Sequence, residues 1–228
     1  RMPFTCDDAK KLNQEIFETC YQILKDEKAL MIFPEGSHNK MRTIRPLSKG
    51  FTRIVFGALE KHPDLKIHLI PVGLTYQNPS VYPGKVALHY GTSILANNYY
   101  SKENLTSEIV RLKKDISSQL KELSVHIPLN ENYIETIENL NKANVDFTKV
   151  NEVNSMIKTQ EIKSKKSSIN WIQLLKPLIV INSFFPWMIW KYIDKKNNEF
   201  EFIDTFRFSI SMLTAFVFYS LQTVLVSY

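Results

Sequence analysis

The chain has 228 residues, 44% hydrophobic and 23% charged, with a formal net charge of +6, 6 glycines and 10 prolines. That length accommodates one good-sized core with a small appendage, and the composition excludes collagen-like and Gly-rich disordered chains. Two cysteines, Cys6 and Cys20, exclude a disulfide framework and have no zinc-ligand spacing beside them, while the basic balance suits nucleic acid, an anionic membrane surface or a phosphorylated substrate alike.

The first residue is Arg1, and no charged-then-apolar leader follows it, so the expectation is no secretory signal and a start further upstream. From Asp8 to about Asp26, Leu12, Ile16, Phe17, Cys20, Ile23 and Leu24 recur at helical spacing, which predicts a surface helix with one buried stripe. The continuous apolar run Ala29 to Phe33, ended by Pro34 and Gly36, reads as a strand buried on both faces. A polar, basic stretch from Ser37 to Ser48 leads to a second amphipathic helix, Gly50 to about Lys61, closed by His62-Pro63-Asp64. Apolar runs at Ile67 to Tyr76 and Lys85 to Tyr90 supply further strands. Strand, helix, strand in that order implies a parallel crossover, so the expected fold class is α/β, a mixed, mostly parallel sheet covered by helices.

Leu105, Ile109, Leu112, Ile116 and Leu120 predict a third helix over Ser101 to Leu123, and Asn130 to Asn141 repeats the pattern weakly. Residues 148–168 turn to Asn, Lys, Ser and Glu and read as a polar linker, part helical at most. Residues 169–228 are the most apolar part. Pro177 to Trp190 and Phe208 to Tyr228 carry no charge, and the second, as a helix, is roughly 31 Å long, enough to cross a bilayer core. The first suits a re-entrant or interfacial element as well as a span, and Trp171, Trp187, Trp190 and Tyr192 fit an interfacial belt. Lys158, Lys163, Lys165 and Lys166 before these segments, and Lys191, Lys195, Lys196 and Arg207 between them, place the flanking sequence on the cytoplasmic side. A buried helical hairpin in a soluble protein is the alternative.

The sharpest local feature is Phe33-Pro34-Glu35-Gly36-Ser37 at the carboxyl end of the first strand, where open α/β sheets bind ligands. Glu35 is a carboxylate able to accept hydrogen bonds from a polyol, and Gly36 allows close approach to the backbone. Such a segment alone is more often a plain turn. The next stretch, with Arg42, Arg45 and Lys49, is dense in groups that pair with phosphate and opens onto a helix N-terminus. Pro71, inside an apolar run, marks a local break in the ladder.

With these residues in view, Phe33 to Ser37 resembles the F-P-E-G-T/S motif of the glycerol-3-phosphate and 1-acylglycerol-3-phosphate acyltransferases. Ile70-Pro71-Val72 is similar to their later V/I-P-V motif, and Ser48-Lys49-Gly50-Phe51 resembles the K-G segment between the two. The resemblance covers roughly Arg1 to Gly91 and implies residues 1–147 as an acyltransferase domain, followed by the linker (148–168) and a membrane-associated region (169–228). It implies transfer of a fatty acyl group from coenzyme A or acyl carrier protein to 1-acylglycerol 3-phosphate, giving phosphatidic acid. Glycerol 3-phosphate as acceptor, or an inactive membrane-associated binding protein of the same fold, are the alternatives. Substrate-binding residues implied are Arg1, Phe33, Pro34, Glu35, Gly36, Ser37 and Pro71.

The family's catalytic His-x-x-x-x-Asp dyad, with His as general base, is expected upstream of Arg1, because none of His38, His62, His68, His89 or His126 has Asp five residues later. His38 stands where the family usually has Arg, which shifts phosphate binding toward Arg42 or Arg45. No metal and no cofactor beyond the acyl donor are expected. The expected partners are membrane lipids and the acyl donor, acyl carrier protein among the candidates. Nucleic acid is not expected, since the basic residues are not interleaved with stacking aromatics.

Overall fold

The computed structural model describes residues 6–37, 39, 41–79, 84–162, 177, 183–196 and 203–227. Arg1, His38, the basic tract Lys163, Lys165 and Lys166, and Trp171 lie outside the described residues, as does most of the first apolar segment before residue 183. The chain divides into two compact units, residues 1–75 with 86–163, and residues 76–85 with 164–228.

In the first unit, helices α1 (Cys6–Lys25), α2 (Gly50–Lys61) and α3 (Leu105–Leu123) form where the apolar spacing predicts them. Helix α2 buries Phe51, Ile54, Val55, Phe56, Ala58 and Leu59, so it is covered on several sides and forms the centre of the core. Against it pack Tyr21 of α1 and Leu112, Ile116 and Leu120 of α3, with Leu47, Ile67 and Ala96 completing the cluster. Gly57 permits the α1–α2 contact: a Cβ placed there would lie 2.2 Å from the Tyr21 hydroxyl. Pro63 cannot continue α2, and the helix closes with the His62 N–H donating to the Ala58 carbonyl at 2.8 Å.

The strands depart from expectation. Among the described residues, four short strands, β1 (His68–Leu69), β2 (Val72–Tyr76), β3 (Val86–Tyr90) and β4 (Ile94–Leu95), form two two-stranded sheets, β1 with β4 and β2 with β3. β1 and β4 are antiparallel, with His68 opposite Leu95 and Leu69 opposite Ile94. At one end of the second pair the Gln77 N–H donates to the Lys85 carbonyl, and at the other the Gly91 N–H donates to the Pro71 carbonyl, which makes that pair antiparallel too. The mostly parallel sheet is therefore a misreading for the described residues. Two causes account for it. Pro71 breaks the Ile67–Tyr76 run into β1 and β2, which go to different sheets. The run Ala29 to Phe33 pairs with no strand among the described residues, so there is no parallel crossover, and instead of being buried its Met31 is 83% and its Phe33 76% exposed.

The same geometry leaves one face of the β2–β3 pair open. Thr75 and Gly73 are buried, while Val72, Leu74, Tyr76, Val86, Leu88 and Tyr90 alternate with the inward positions and are exposed.

A second cluster follows α3. Val125, Ile127, Tyr133, Leu140, Ala143, Val145, Phe147, Val150 and Val153 pack together, contributed largely by α4 (Tyr133–Lys142), α5 (Val150–Thr159) and the segment between them. Residues 150–159, read as part of a polar linker, are a helix because Val150 and Val153 share one face and have a core to enter. In the second unit, α6 (Phe184–Lys196) and α7 (Ile203–Ser227) form an antiparallel pair. The Phe185 and Phe218 rings lie 5.9 Å apart, the Ser183 and Tyr219 hydroxyls are 2.5 Å apart, and the Arg207 guanidinium sits 4.9 Å over the Trp190 ring. Within α7, Thr205–Ser227 is long and apolar enough to cross a membrane, with a mean hydropathy of 1.6 over its most apolar stretch and none of that stretch buried. Trp190, expected in an interfacial belt, is buried.

Candidate functional site

The extended run Ala29 to Phe33 delivers the chain into a turn, and that turn is the candidate site. Gly36 adopts φ +74°, a left-handed conformation open to glycine at little cost, and its N–H closes the turn onto the Phe33 carbonyl at 3.3 Å. The Pro34 carbonyl accepts from the Ser48 N–H at 2.8 Å, which ties the turn to the segment entering α2. Three of the sequence-derived residues thus meet in one loop, Glu35, Gly36 and Ser37, with Pro34 beneath them and Phe33 facing outward.

The side chain that organises the loop is Arg45. Its Nε donates to Glu35 Oε2 at 3.0 Å, its Nη1 donates to Ser37 Oγ at 2.9 Å, and its Nη2 donates to the Ser37 carbonyl. Arg45 and Glu35 retain 23% and 28% of their side-chain exposure, so the ion pair is partly shielded from water yet accessible to a ligand. Sequence reasoning placed Arg45 among phosphate-pairing groups; its hold on Glu35 and Ser37, ten and eight positions away, has no local signature.

Arg42, the other phosphate candidate, is committed elsewhere. Its guanidinium lies 3.8 Å over the Phe147 ring, and burial draws its pKa below the usual guanidinium value. Its N–H donates to the Tyr133 hydroxyl at 2.9 Å and its carbonyl accepts from the Ile127 N–H at 2.7 Å. His126 extends this anchorage: its Nδ1 accepts from the Ile44 N–H at 3.0 Å, which requires the proton on Nε2 in the neutral ring. Desolvation, with Lys121 nearby, lowers the His126 pKa and favours that neutral form. Segment 42–45 is thereby fastened to the second hydrophobic cluster.

Pro71 is buried at the entry to β2 with its carbonyl tied to Gly91, and no hydrogen bond among the described residues joins it to the turn. A cleft of about 590 Å³ lies between Ala29, Leu30 and Ile32 on one side and Leu65–Ile70 on the other, its apolar lining completed by Leu24, Ile54 and Val55 and its polar lining by Glu27, Lys28 and Asp64. It reaches the residue before Phe33. Among the described residues, no three His, Cys, Asp or Glu side chains gather where a metal ion would sit.

Comparison with known proteins converges on the same segment. A family model described as Acyltransferase matches residues 3–75. Glycerol-3-phosphate O-acyltransferase 1 of Saccharomyces cerevisiae is 25% identical over 123 residues, covering 51% of this chain and 16% of the relative; Glycerol-3-phosphate O-acyltransferase 2 of the same yeast is 25% identical over 119 residues with the same coverage. An uncharacterized acyltransferase of Schizosaccharomyces pombe is 28% identical over 65 residues, 28% of this chain and 10% of the relative. The chain thus spans about 16% of the length of the two Saccharomyces relatives. No solved structure matches it. Residues 3–75, which hold the Phe33–Ser37 turn and its Arg45 clamp, thus match an acyltransferase family model, and about half of the chain is similar to two glycerol-3-phosphate O-acyltransferases.

Proposed function

We propose that this chain forms the acceptor-binding part of an enzyme that moves a fatty acyl group from a thioester of coenzyme A or acyl carrier protein to a hydroxyl of a glycerol phosphate. In that reaction the hydroxyl oxygen bonds to the thioester carbonyl carbon, the C–S bond breaks, and the hydroxyl proton ends on the leaving thiol. The chain's own contribution is binding and orientation by Glu35, Gly36 and Ser37. The general base belongs to the His-x-x-x-x-Asp dyad that the family resemblance implies and that these 228 residues do not contain.

The observation that carries the reading is the turn itself: a carboxylate and a hydroxyl held side by side by one guanidinium, just after a cleft that reaches Ile32. Polar and apolar surfaces so adjoined suit an amphiphilic reaction, and the cleft falls within the roughly 300–1,000 Å³ usual for small-molecule sites. The names of the two Saccharomyces relatives favour glycerol 3-phosphate as acceptor. The cleft beside the turn favours 1-acylglycerol 3-phosphate, which brings an acyl chain of its own. Helix α7 would hold the unit at a bilayer with the acyl-transfer site on its cytoplasmic side, in keeping with the lysines between the apolar segments.

The test supplies radiolabelled acyl-coenzyme A and, in turn, glycerol 3-phosphate, 1-acylglycerol 3-phosphate and unphosphorylated 1-acylglycerol to the full-length enzyme in vesicles. Label is expected in the product of one or both phosphorylated acceptors. Exclusive use of the unphosphorylated acceptor would defeat the proposal.

A further inference from the structure

We propose that Arg45 is a positioning residue that divides the acceptor site into a hydroxyl end at Glu35 and a phosphate end at Ser37; this inference rests on the acceptor-binding reading above. The argument is one of hydrogen-bond polarity. Glu35 receives Arg45 Nε on Oε2, which leaves Oε1 without a partner among the described residues and fixed in direction. An ionised carboxylate only accepts, so Oε1 selects a group bearing a proton, as a glycerol hydroxyl does. Ser37 Oγ already accepts from Arg45 Nη1, so its own hydrogen is free to donate outward, toward an anionic oxygen.

The guanidinium carries the same sign of preference. Nε and one N–H on each terminal nitrogen are used on Glu35 and Ser37, which leaves one N–H on Nη1 and one on Nη2, with the side chain partly open to solvent. Oε1 therefore only accepts, whereas the Ser37 hydrogen and the two remaining N–H groups only donate. A polyol phosphate has the complementary order, a proton-bearing hydroxyl at one end and an anionic phosphate at the other.

What keeps Arg45 in place is not the turn but the segment behind it. Ile44 N–H is held by His126, Arg42 N–H by Tyr133, and the Ile127 N–H is held by the Arg42 carbonyl, while Ser48 N–H reaches back to Pro34. The clamp is thus referenced to the rigid second cluster, and the turn is fastened to it at Arg45 and at Ser48.

The experiment uses the full-length enzyme with Glu35→Gln, Arg45→Gln, Arg45→Lys and the double variant Glu35→Gln/Arg45→Gln. Arg45→Gln is expected to raise the acceptor KM by about tenfold or more with the acyl-coenzyme A KM unchanged, and Arg45→Lys, which keeps the charge but not the fork, to recover only part of it. Adding Glu35→Gln to Arg45→Gln is expected to raise acceptor KM further, but by less than Glu35→Gln does in the parent enzyme, since Arg45 orients the carboxylate that meets the hydroxyl. In hydrogen exchange, Arg45→Gln should speed the Gly36 and Ser48 amides about tenfold and leave α2 and α3 unaltered.

Acceptor KM and Gly36 and Ser48 exchange all within about twofold of the parent protein would overturn the proposal. So would a loss shared equally by both substrates with faster exchange throughout α2 and α3. If the parent enzyme transfers no acyl group at all, the function reading fails separately, and the exchange at Gly36 and Ser48 alone then upholds or overturns the clamp.

Discussion

The α1–α2–α3 core and the Phe33–Ser37 turn lie in one unit and are held by different forces. In the core, Phe51, Val55, Leu59, Leu112 and Leu120 exclude water from one another, and the cohesion is spread over many contacts. At the turn, Met31 and Phe33 are exposed, and the local order comes from Arg45 and from the Ser48 N–H on the Pro34 carbonyl. Packing therefore sets the stability of the unit, and a few directional bonds set the shape of the site. Damage to the first should appear as unfolding, and damage to the second as altered binding with the fold intact.

The strongest way to break that comparison is in the core. Leu112 has no exposed surface, and Leu112→Ala removes its contacts within the core cluster, at an expected cost of about 2–5 kcal/mol in chemical denaturation followed by circular dichroism. Leu74→Ala, on the exposed face of β2, should cost no more than about 0.5 kcal/mol. Similar losses at the two positions would mean that the β2–β3 face is covered and that the core and the exposed regions do not differ as described.

Gly57→Ala probes the same core more narrowly. Alanine is the better helix former by about 1 kcal/mol, yet its Cβ would lie 2.2 Å from the Tyr21 hydroxyl and 2.5 Å from Cζ, so Tyr21 must shift. A net destabilisation of about 1–3 kcal/mol is expected by the same measurement, relieved in part by Tyr21→Leu in the Gly57→Ala background. A gain in stability would show that α1 yields freely.

The two regions also differ in how far the sequence foretold them. Helix positions followed from spacing, because Leu112, Ile116 and Leu120 recur at the helical period and any apolar neighbour satisfies them. Ala29 to Phe33 has the composition of a buried strand, but burial and pairing of a strand depend on neighbours elsewhere, and among the described residues none flanks it. Pro71 was legible as an interruption, though not that it would assign β1 and β2 to separate sheets. Residues 150–159 looked polar because their apolar side chains, Val150, Val153, Met156 and Ile157, all of which meet the second cluster, stand among Asn, Glu, Ser, Lys and Thr. At the site, Phe33 to Ser37 was found as a motif, whereas the Arg45 clamp depends on the path of the chain between residues 37 and 45.

The finest test concerns the seam between the clamp and its support. His126 Nδ1 accepts from the Ile44 N–H only while the ring is neutral, and burial, with Lys121 adding to it, keeps the folded-state pKa below the ordinary histidine value. The unfolded chain therefore takes up the proton first as pH falls. The stability that His126 contributes is fully present above the unfolded pKa of about 6.5 and is lost as pH drops from there through the lowered folded value. Denaturation midpoints measured from pH 8 down to about 5 should show this decline, and His126→Gln should flatten it, since an amide does not titrate in that range. The effect is expected to be smaller than at Leu112 or Gly57, because the ring is only partly buried. If the loss on acidification reaches the turn, Gly36 and Ser48 amide exchange should rise with it. A pH-independent midpoint in the parent protein would show that the Ile44 contact contributes nothing, and the anchorage of Arg45 would then rest on Tyr133 and Ile127 alone.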